Sequence, residues 1–330
     1  MQKTTAHFEA GMSLDAAAQD VELRDKFVNP LTTLDGQPRA SVALGQLKTL
    51  WFNTGTLCNI ACSNCYIEST PTNDRLSYLT LDEVTSYLDE IQTQEFATEE
   101  IGLTGGEPFM NPDIVPIMQA CLSRGFRLLV LTNAMRPMMR PRIQGALLDL
   151  HKRYRAQLSL RVSVDHFDPK LHEQERGTNT WEPMLKGLKW LALNGLNIDV
   201  AGRTRWGEDE AKLRSGFAAL FLRLGIVVDA YDEKQLMLFP EMDASAEVPE
   251  ITTACWDILG AKPDDMMCAS ARMVVKHKGE AAPSVMACTL LAYDERFILG
   301  KTLADAETSV PLNHPHCAKF CVLGGGACSA

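Results

Sequence analysis

The chain has 330 residues, 46% of them hydrophobic, with ten cysteines and a formal net charge of −10. That is ample apolar material for a buried core, in a length that suits two domains or one large barrel with an extension. The acidic balance argues against a general affinity for nucleic acid, which needs a basic face, and no apolar run reaches the roughly 18 residues of a membrane span.

Residues 1–46 precede the core. Met1-Gln2-Lys3-Thr4-Thr5 leads into polar sequence and not into the apolar region of a signal peptide. Many cysteines without a leader point to metal ligation in a reducing compartment, so a cytoplasmic protein is expected. Ser13 caps a predicted helix over 14–27, favoured by Ala16, Ala17 and Ala18 and stopped at Asn29-Pro30. From Leu47 onward strand and helix alternate. The first strand is 47–53. Thr80-Leu81-Asp82-Glu83 is a capping box, followed by Val84, Leu88 and Ile91 at helical spacing. A second strand covers 100–103, a helix 113–122 ends at Gly125, and a third strand at 126–131 closes on Thr132-Asn133. A helix over 143–154, a strand over 158–164, a helix over 181–194 and a strand over 196–201 come next. A helix over 208–224 and a sixth strand at 226–230 complete the pattern. Six strands with helices between them imply a parallel sheet with helices outside, whose ligands lie at the carboxyl ends of the strands.

The loop after the first strand reads Cys58-Asn59-Ile60-Ala61-Cys62-Ser63-Asn64-Cys65. Three thiolates this close can hold three irons of a cubane 4Fe–4S cluster and leave the fourth iron open to an exogenous ligand. A zinc knuckle is the plainer alternative, but zinc wants a fourth ligand nearby and the next histidine is the distant His151.

This loop resembles the signature of the radical S-adenosylmethionine (SAM) family, and Leu103-Thr104-Gly105-Gly106-Glu107-Pro108 resembles that family's Gly-Gly-Glu-Pro motif. The resemblance implies an α/β fold, a partial (β/α)6 parallel barrel. It implies that Cys58, Cys62 and Cys65 ligate the cluster and that its open iron binds the amino and carboxylate groups of SAM. Reductive cleavage of SAM then yields a 5′-deoxyadenosyl radical, which abstracts hydrogen from a substrate. No side chain can remove an unactivated hydrogen, so a cofactor must carry that chemistry. Gly105 and Gly106 are expected to line the methionine end, where glycine permits close approach, with Glu107 accepting hydrogen bonds from the ammonium group. Ser163-Val164-Asp165 and the downstream Arg176-Gly177 are similar to a Ser-x-Asp and an Arg-Gly of relatives with a C-terminal cluster domain, where serine and arginine hold the SAM carboxylate. An arginine fork suits that role; the alternative for Arg176 is a surface ion pair with a glutamate. Arg203 is a SAM or substrate contact or a structural clamp, and Asn133 and Asp165 are counted with the cofactor pocket. Relatives usually carry an aromatic residue before the third cysteine. Here Asn64 stands there and Tyr66 follows the cysteine, so Tyr66 is counted among the cofactor contacts.

Five cysteines crowd the C-terminal stretch: Cys268, Cys288, Cys317, Cys321 and Cys328. Their spacing around Gly279 and His316 resembles a variant of the SPASM or twitch extension, which holds auxiliary clusters. Five cysteines fully ligate one cubane, not two, so one auxiliary 4Fe–4S cluster is expected. Cys317, Cys321 and Cys328 rank first as its ligands, then Cys268 and Cys288; zinc remains open at this site. Cys121 and Cys255 read as core residues. The run from Leu236 to Asp243 is a candidate substrate wall, with Glu241 or Asp243 as a base, and His166 is a second proton-transfer candidate. The expected division is 1–46 as an N-terminal extension, 47–231 as the core and 232–330 as the auxiliary cluster domain.

The expected partners are SAM, a small-molecule substrate in preference to a peptide, and a flavodoxin- or ferredoxin-type reductant. Nucleic acid and membrane are not expected partners. The competing readings are a peptide-modifying maturase, a non-enzymatic iron–sulfur carrier or scaffold, and a zinc-stabilised binding module.

Overall fold

The computed structural model describes residues 26–241 and 247–325. The helix expected over 14–27 falls outside this range except for Lys26 and Phe27, which form a turn; Asp243 and Cys328 also fall outside it. In chain order the elements are β1 (Ser41–Val42), β2 (Thr49–Asn53), α1 (Leu81–Thr93), β3 (Glu100–Thr104), α2 (Ile114–Ser123), β4 (Arg127–Thr132), α3 (Pro141–Tyr154), β5 (Leu158–Asp165), α4 (Pro169–Arg176), α5 (Trp181–Leu193), β6 (Asn197–Arg203), α6 (Glu210–Leu224) and β7 (Leu236–Phe239). Beyond them lie the short α7 (Cys255–Leu259), β8 (Ala271–Val275), β9 (Ser284–Met286), β10 (Ile298–Gly300) and β11 (Val310–Pro311). Helix starts follow local chemistry. The Thr80 hydroxyl accepts from the Glu83 N–H while the Glu83 carboxylate accepts from the Thr80 N–H, and Asp209 caps α6 in the same sense.

Strands β2 to β7 run parallel in sequential order, as the alternating pattern implied. Period-two alternation divides the side chains of β2 and β4 between two cores. Leu50 and Phe52 of β2 pack with the helices in one cluster, whereas Trp51 packs in the other with Leu129, Met273 and residues of the C-terminal extension. Along β5, Leu158, Leu160, Val162 and Val164 belong to the helix-side core, and Arg161, Ser163 and Asp165 line the barrel interior. Gly102 is small for a packing reason: a Cβ there would meet the Trp51 ring at 2.2 Å.

Two features depart from expectation. The segment 226–230 is no strand. Ile226, Val228 and Ala230 are buried, so its period-two signal was real, but it packs as an irregular connection; the sixth strand is β7, whose register with β6 begins at Val200 opposite Leu236. The C-terminal extension also continues the barrel sheet. β8 pairs parallel with β2, and β9 and β10 follow antiparallel, giving a sheet of nine strands. No helix among the described residues is long and apolar enough to cross a membrane.

Glu250 fastens the N-terminal segment to the extension. It accepts from the N–H groups of Phe27 (2.6 Å) and Leu34 (2.5 Å) and pairs with the buried Arg39, which also donates to the carbonyls of Asn29, Thr32 and Leu312. Burial pushes the Glu250 carboxyl up, but the Leu34 bond, Arg39 and the Phe27 bond outweigh it and hold the pKa below the ordinary range. Because the folded value is depressed, the pair's stability is present above the unfolded pKa and is lost as pH falls through the folded one. Glu250→Ala is expected to cost roughly 3 kcal/mol near neutral pH by stranding the Arg39 charge. Denaturant unfolding should show that deficit shrinking in acid.

Candidate active site

A cavity of 1140 Å³, its open mouth included, lies at the carboxyl ends of the parallel strands. Cys58, Cys62, Cys65, Tyr66, Gly105, Gly106, Asn133, Ser163, Asp165, Arg176 and Arg203 all line it, so every expected first-cluster and SAM contact except Glu107 meets in one space.

The two glycines serve chain packing first. Gly105 has φ +141°, and a Cβ on it would lie 2.6 Å from the Gly55 carbonyl oxygen. A Cβ on Gly106 would lie 2.3 Å from the Leu57 carbonyl oxygen. The Gly106 N–H donates to Gly55 O and the Glu107 N–H to Leu57 O, so this turn is stacked on the backbone that delivers Cys58. Burial pushes the Cys58 thiol up to about 12 and raises Cys62 as well. Such thiols stay protonated until a metal ionises them. Donors face the sulfurs: the Ser69 N–H reaches Cys65 Sγ at 3.3 Å, and Asn133 Nδ2 lies 3.8 Å from Cys58 Sγ. Among the described residues no three His, Cys, Asp or Glu side chains converge on one point as ligands to a single ion would. A cubane asks for less convergence, since each thiolate meets its own iron. Three thiols spread along the wall of a roomy cavity fit that group.

Glu107 departs from expectation. It sits behind the cavity wall, buried, with both carboxylate oxygens already accepting: from the Thr132 hydroxyl (2.8 Å), the Asn133 N–H (2.9 Å) and the Phe109 N–H (3.3 Å). Burial pushes its pKa up to about 7 against the pull of those bonds. Its visible work is to fix the end of β4, and with it Asn133, beside the cysteine loop.

On the opposite wall, Asp165 takes φ +60° at a register shift between β5 and β6. Arg176 meets it with two contacts, Nε to Oδ2 at 2.7 Å and Nη2 to Oδ1 at 3.3 Å. Burial raises Asp165, but Arg176 and Arg203 outweigh it and keep the pKa below the carboxylate range. The surface-glutamate reading of Arg176 is thereby corrected: the guanidinium is buried and its partner is Asp165. Arg203 makes a clamp's contacts at the cavity wall. Its guanidinium lines the cavity and lies 4.8 Å over the Tyr66 ring, and its Nη2 donates to Asn64 O at 3.0 Å.

Sequence reasoning missed Glu175 and the helix α4 that carries it. This wholly buried carboxylate accepts from the Asn64 N–H (3.0 Å), Asn64 Nδ2 (3.1 Å) and Arg205 Nη1 (2.5 Å), while its carbonyl accepts from the Ser63 N–H (2.8 Å). It clamps the turn between Cys62 and Cys65. Asp168 followed by Pro169, a cap and then a first-turn proline, was the available signal for the helix.

His166 stands outside the cavity lining. Its Nδ1 accepts from the Asp168 N–H, and its Nε2 faces Glu208 at 3.4 Å beneath Trp206. Glu241 is likewise not on the cavity wall, although Phe239 of the expected substrate wall is.

A second, smaller cavity of about 400 Å³, its open mouth included, lies within the extension. Cys268, Cys288, Cys317 and Cys321 line it together with His316, and Leu290 borders both cavities. One helical turn over Cys317–Val322 brings Cys317 and Cys321 to the same side. The thiols of Cys268 and Cys317 are both raised by burial. Cys328, ranked with Cys317 and Cys321 from the sequence, lies outside the described residues. Of the two cysteines assigned to the core, Cys121 is buried on α2, whereas Cys255 is half-buried at the start of the short α7.

Residues 52–204 match the model of the radical SAM superfamily. That stretch, a little under half of the chain, is a radical SAM domain. A 4Fe–4S cluster and SAM are the cofactors that a radical SAM domain takes. The chain is 30% identical over 133 residues to the GTP 3′,8-cyclase of Haemophilus influenzae strain PittEE, covering 40% of this chain and 37% of that protein. It is 28% identical over 145 residues to the subtilosin biosynthesis protein AlbA of Bacillus subtilis, covering 44% and 30%. These matches span well under half of the relatives' own length. Among solved structures, anSMEcpe with bound AdoMet superposes at a TM-score of 0.56 with 13% identity, over 78% of this chain and 76% of that one. Streptococcus suis SuiB bound to the precursor peptide SuiA gives 0.53 with 12% identity, over 89% and 69%. Likeness at that identity bears on the fold alone, and it agrees with the radical SAM partial barrel seen here.

Proposed function

We propose that this radical SAM enzyme abstracts hydrogen from a small-molecule substrate, with an auxiliary 4Fe–4S cluster in the extension taking part in electron transfer or substrate binding. The observation that carries this reading is the convergence of the Cys58-Cys62-Cys65 loop, the Gly105-Gly106 turn and the Ser163/Arg176 wall on one cavity, with a second cavity of four cysteines just across Leu290. When bound, the reduced cluster and SAM supply the 5′-deoxyadenosyl radical.

The chain's own residues then have separable tasks. Cys58, Cys62 and Cys65 hold three irons. Ser163 and Arg176 receive the SAM carboxylate, with Asp165 steadying the arginine fork from behind. Tyr66, braced by Arg203, covers the nucleoside side. The remaining lining, Trp51, Leu131, Phe239 and Leu290 with Arg161 and Thr289, is mainly apolar and enclosed by both barrel and extension, which suits a compact substrate. Cys268, Cys288, Cys317 and Cys321 hold the auxiliary cluster. Because β7 pairs parallel with β6, we take the core to run to residue 239, a few residues past the expected 231, with the extension after it. A flavodoxin- or ferredoxin-type donor in the cytoplasm is the fitting reductant for such a site.

Peptide modification is the second reading. It is favoured by AlbA among the relatives and by the likeness to SuiB with its precursor peptide over 89% of this chain. Anaerobic reconstitution with iron and sulfide, then SAM and dithionite, tests the chemistry. About eight irons per chain, two cubanes, and release of 5′-deoxyadenosine are expected. Iron without nucleoside release would indicate a carrier, and colourless protein holding zinc would indicate a binding module.

A further inference from the structure

Arg272 lies on β8 and is almost wholly buried. Its guanidinium donates to four carbonyl oxygens: Ala306 (3.0 Å), Cys268 (2.5 Å), Ala271 (2.9 Å) and Thr308 (3.2 Å). These bonds satisfy its donors but leave its charge uncompensated, because carbonyl groups are neutral. Among the described residues no carboxylate forms an ion pair with it. Cys268, whose carbonyl it holds, lines the second cavity together with Cys288, Cys317 and Cys321. A buried cation is costly unless an anion accompanies it. A cluster held by Cys268 and its neighbours on the cavity wall would bring thiolate charge beside it and supply the missing anion.

We propose that Arg272 is the charge partner of the auxiliary cluster, a positioning residue whose fixed positive charge offsets the thiolate charge and raises the cluster's reduction potential. Net charge and hydrogen bonding around a cluster are principal determinants of that potential. Through the Cys268 carbonyl, Arg272 also sets the backbone that presents one ligand, so charge and ligand geometry are tied to the same side chain. Electron exchange between the substrate cavity and the second site would be tuned from the side of the extension facing away from the barrel interior. The inference rests on the auxiliary cluster proposed above.

The test uses full-length protein carrying Cys58→Ala, Cys62→Ala and Cys65→Ala, so that only the auxiliary cluster reports. Iron content and midpoint potential are measured by dye-mediated EPR titration in this background and with Arg272→Gln or Arg272→Lys added. The expected result is a potential shifted negative in Arg272→Gln and retained near the parental value in Arg272→Lys. An unchanged potential in Arg272→Gln overturns the charge role. If Arg272→Gln fails to hold the cluster, Arg272→Lys decides: a loaded cluster at the parental potential supports the proposal, and loss of the cluster there as well reduces Arg272 to a scaffold for carbonyls. Absence of iron from the triplet-free background overturns the auxiliary site itself, and the Arg272 role with it.

Discussion

Replacing Glu175 by alanine is expected to lower stability by about 3–5 kcal/mol and to abolish cluster assembly at the first cysteine loop. The carboxylate is wholly buried and serves three groups at once: the backbone and side chain of Asn64 and the guanidinium of Arg205. Its deletion strands a half-buried arginine charge and leaves the Asn64 N–H without its acceptor. Both costs belong to the class in which one partner of a buried pair is lost. Asn64 lies between Cys62 and Cys65, so the same deletion frees the turn that spaces those two thiols. Glu175→Gln keeps the volume and one acceptor oxygen and should fall between the two. Denaturant unfolding of the metal-free protein reads the stability, and iron bound per chain after reconstitution reads the assembly. Full iron loading in Glu175→Ala would show that the clamp is dispensable.

The second large effect is expected at Gly106. A methyl group there would meet Leu57 O at 2.3 Å, and Leu57 C and Thr56 O at 2.6 Å. These are backbone atoms, which cannot swing aside as the end of a side chain can. Gly106→Ala must therefore displace the strand-to-loop connection that leads into Cys58. An overpacking cost of at least about 3 kcal/mol and a SAM affinity reduced by about tenfold or more (about 1.4 kcal/mol) are expected, measurable by thermal unfolding and by equilibrium binding to reconstituted protein. Gly145→Ala is the control. That glycine lies inside α3 with nothing within 4 Å of its Cβ position, and alanine there should stabilise by roughly 0.5–1 kcal/mol. If both substitutions were neutral, the close approach at Gly106 would carry no functional weight.

Much of the site was legible because its chemistry is local in sequence. Cys58, Cys62 and Cys65 lie within one loop, and the Gly105-Gly106 turn follows one strand, so spacing alone places them. The parallel order of β2 to β6 was legible for the same reason, since each strand–helix unit announces itself through its own periodicity. What was illegible depended on partners distant in the chain. Segment 226–230 and β7 are both short, largely apolar runs, and pairing with β6 distinguishes them. Strand β8 adds to the barrel beside β2 across more than two hundred residues of chain, which no local pattern reports. Glu107 looked like a ligand contact because it follows Gly105 and Gly106, which line the cavity; its own carboxylate is spent on Thr132 and Asn133. Glu175 was missed because one acidic residue in Leu-His-Glu-Gln-Glu-Arg looks like any other until the fold buries it.

The two cavities give the account its internal check. Leu290 borders both, so the extension helps to close the substrate space and also to build the cysteine site. A zinc-holding extension would keep that architecture but exchange no electrons, and a carrier would have no use for the Ser163/Arg176 wall.

The most direct test is EPR of the dithionite-reduced, anaerobically reconstituted protein in which Cys268→Ala and Cys317→Ala remove the auxiliary site, recorded before and after SAM is added. An iron left open by three cysteines predicts a signal that changes when SAM binds and that disappears, together with 5′-deoxyadenosine release, in Cys62→Ala. A signal indifferent to SAM, or nucleoside release that survives Cys62→Ala, would contradict the account.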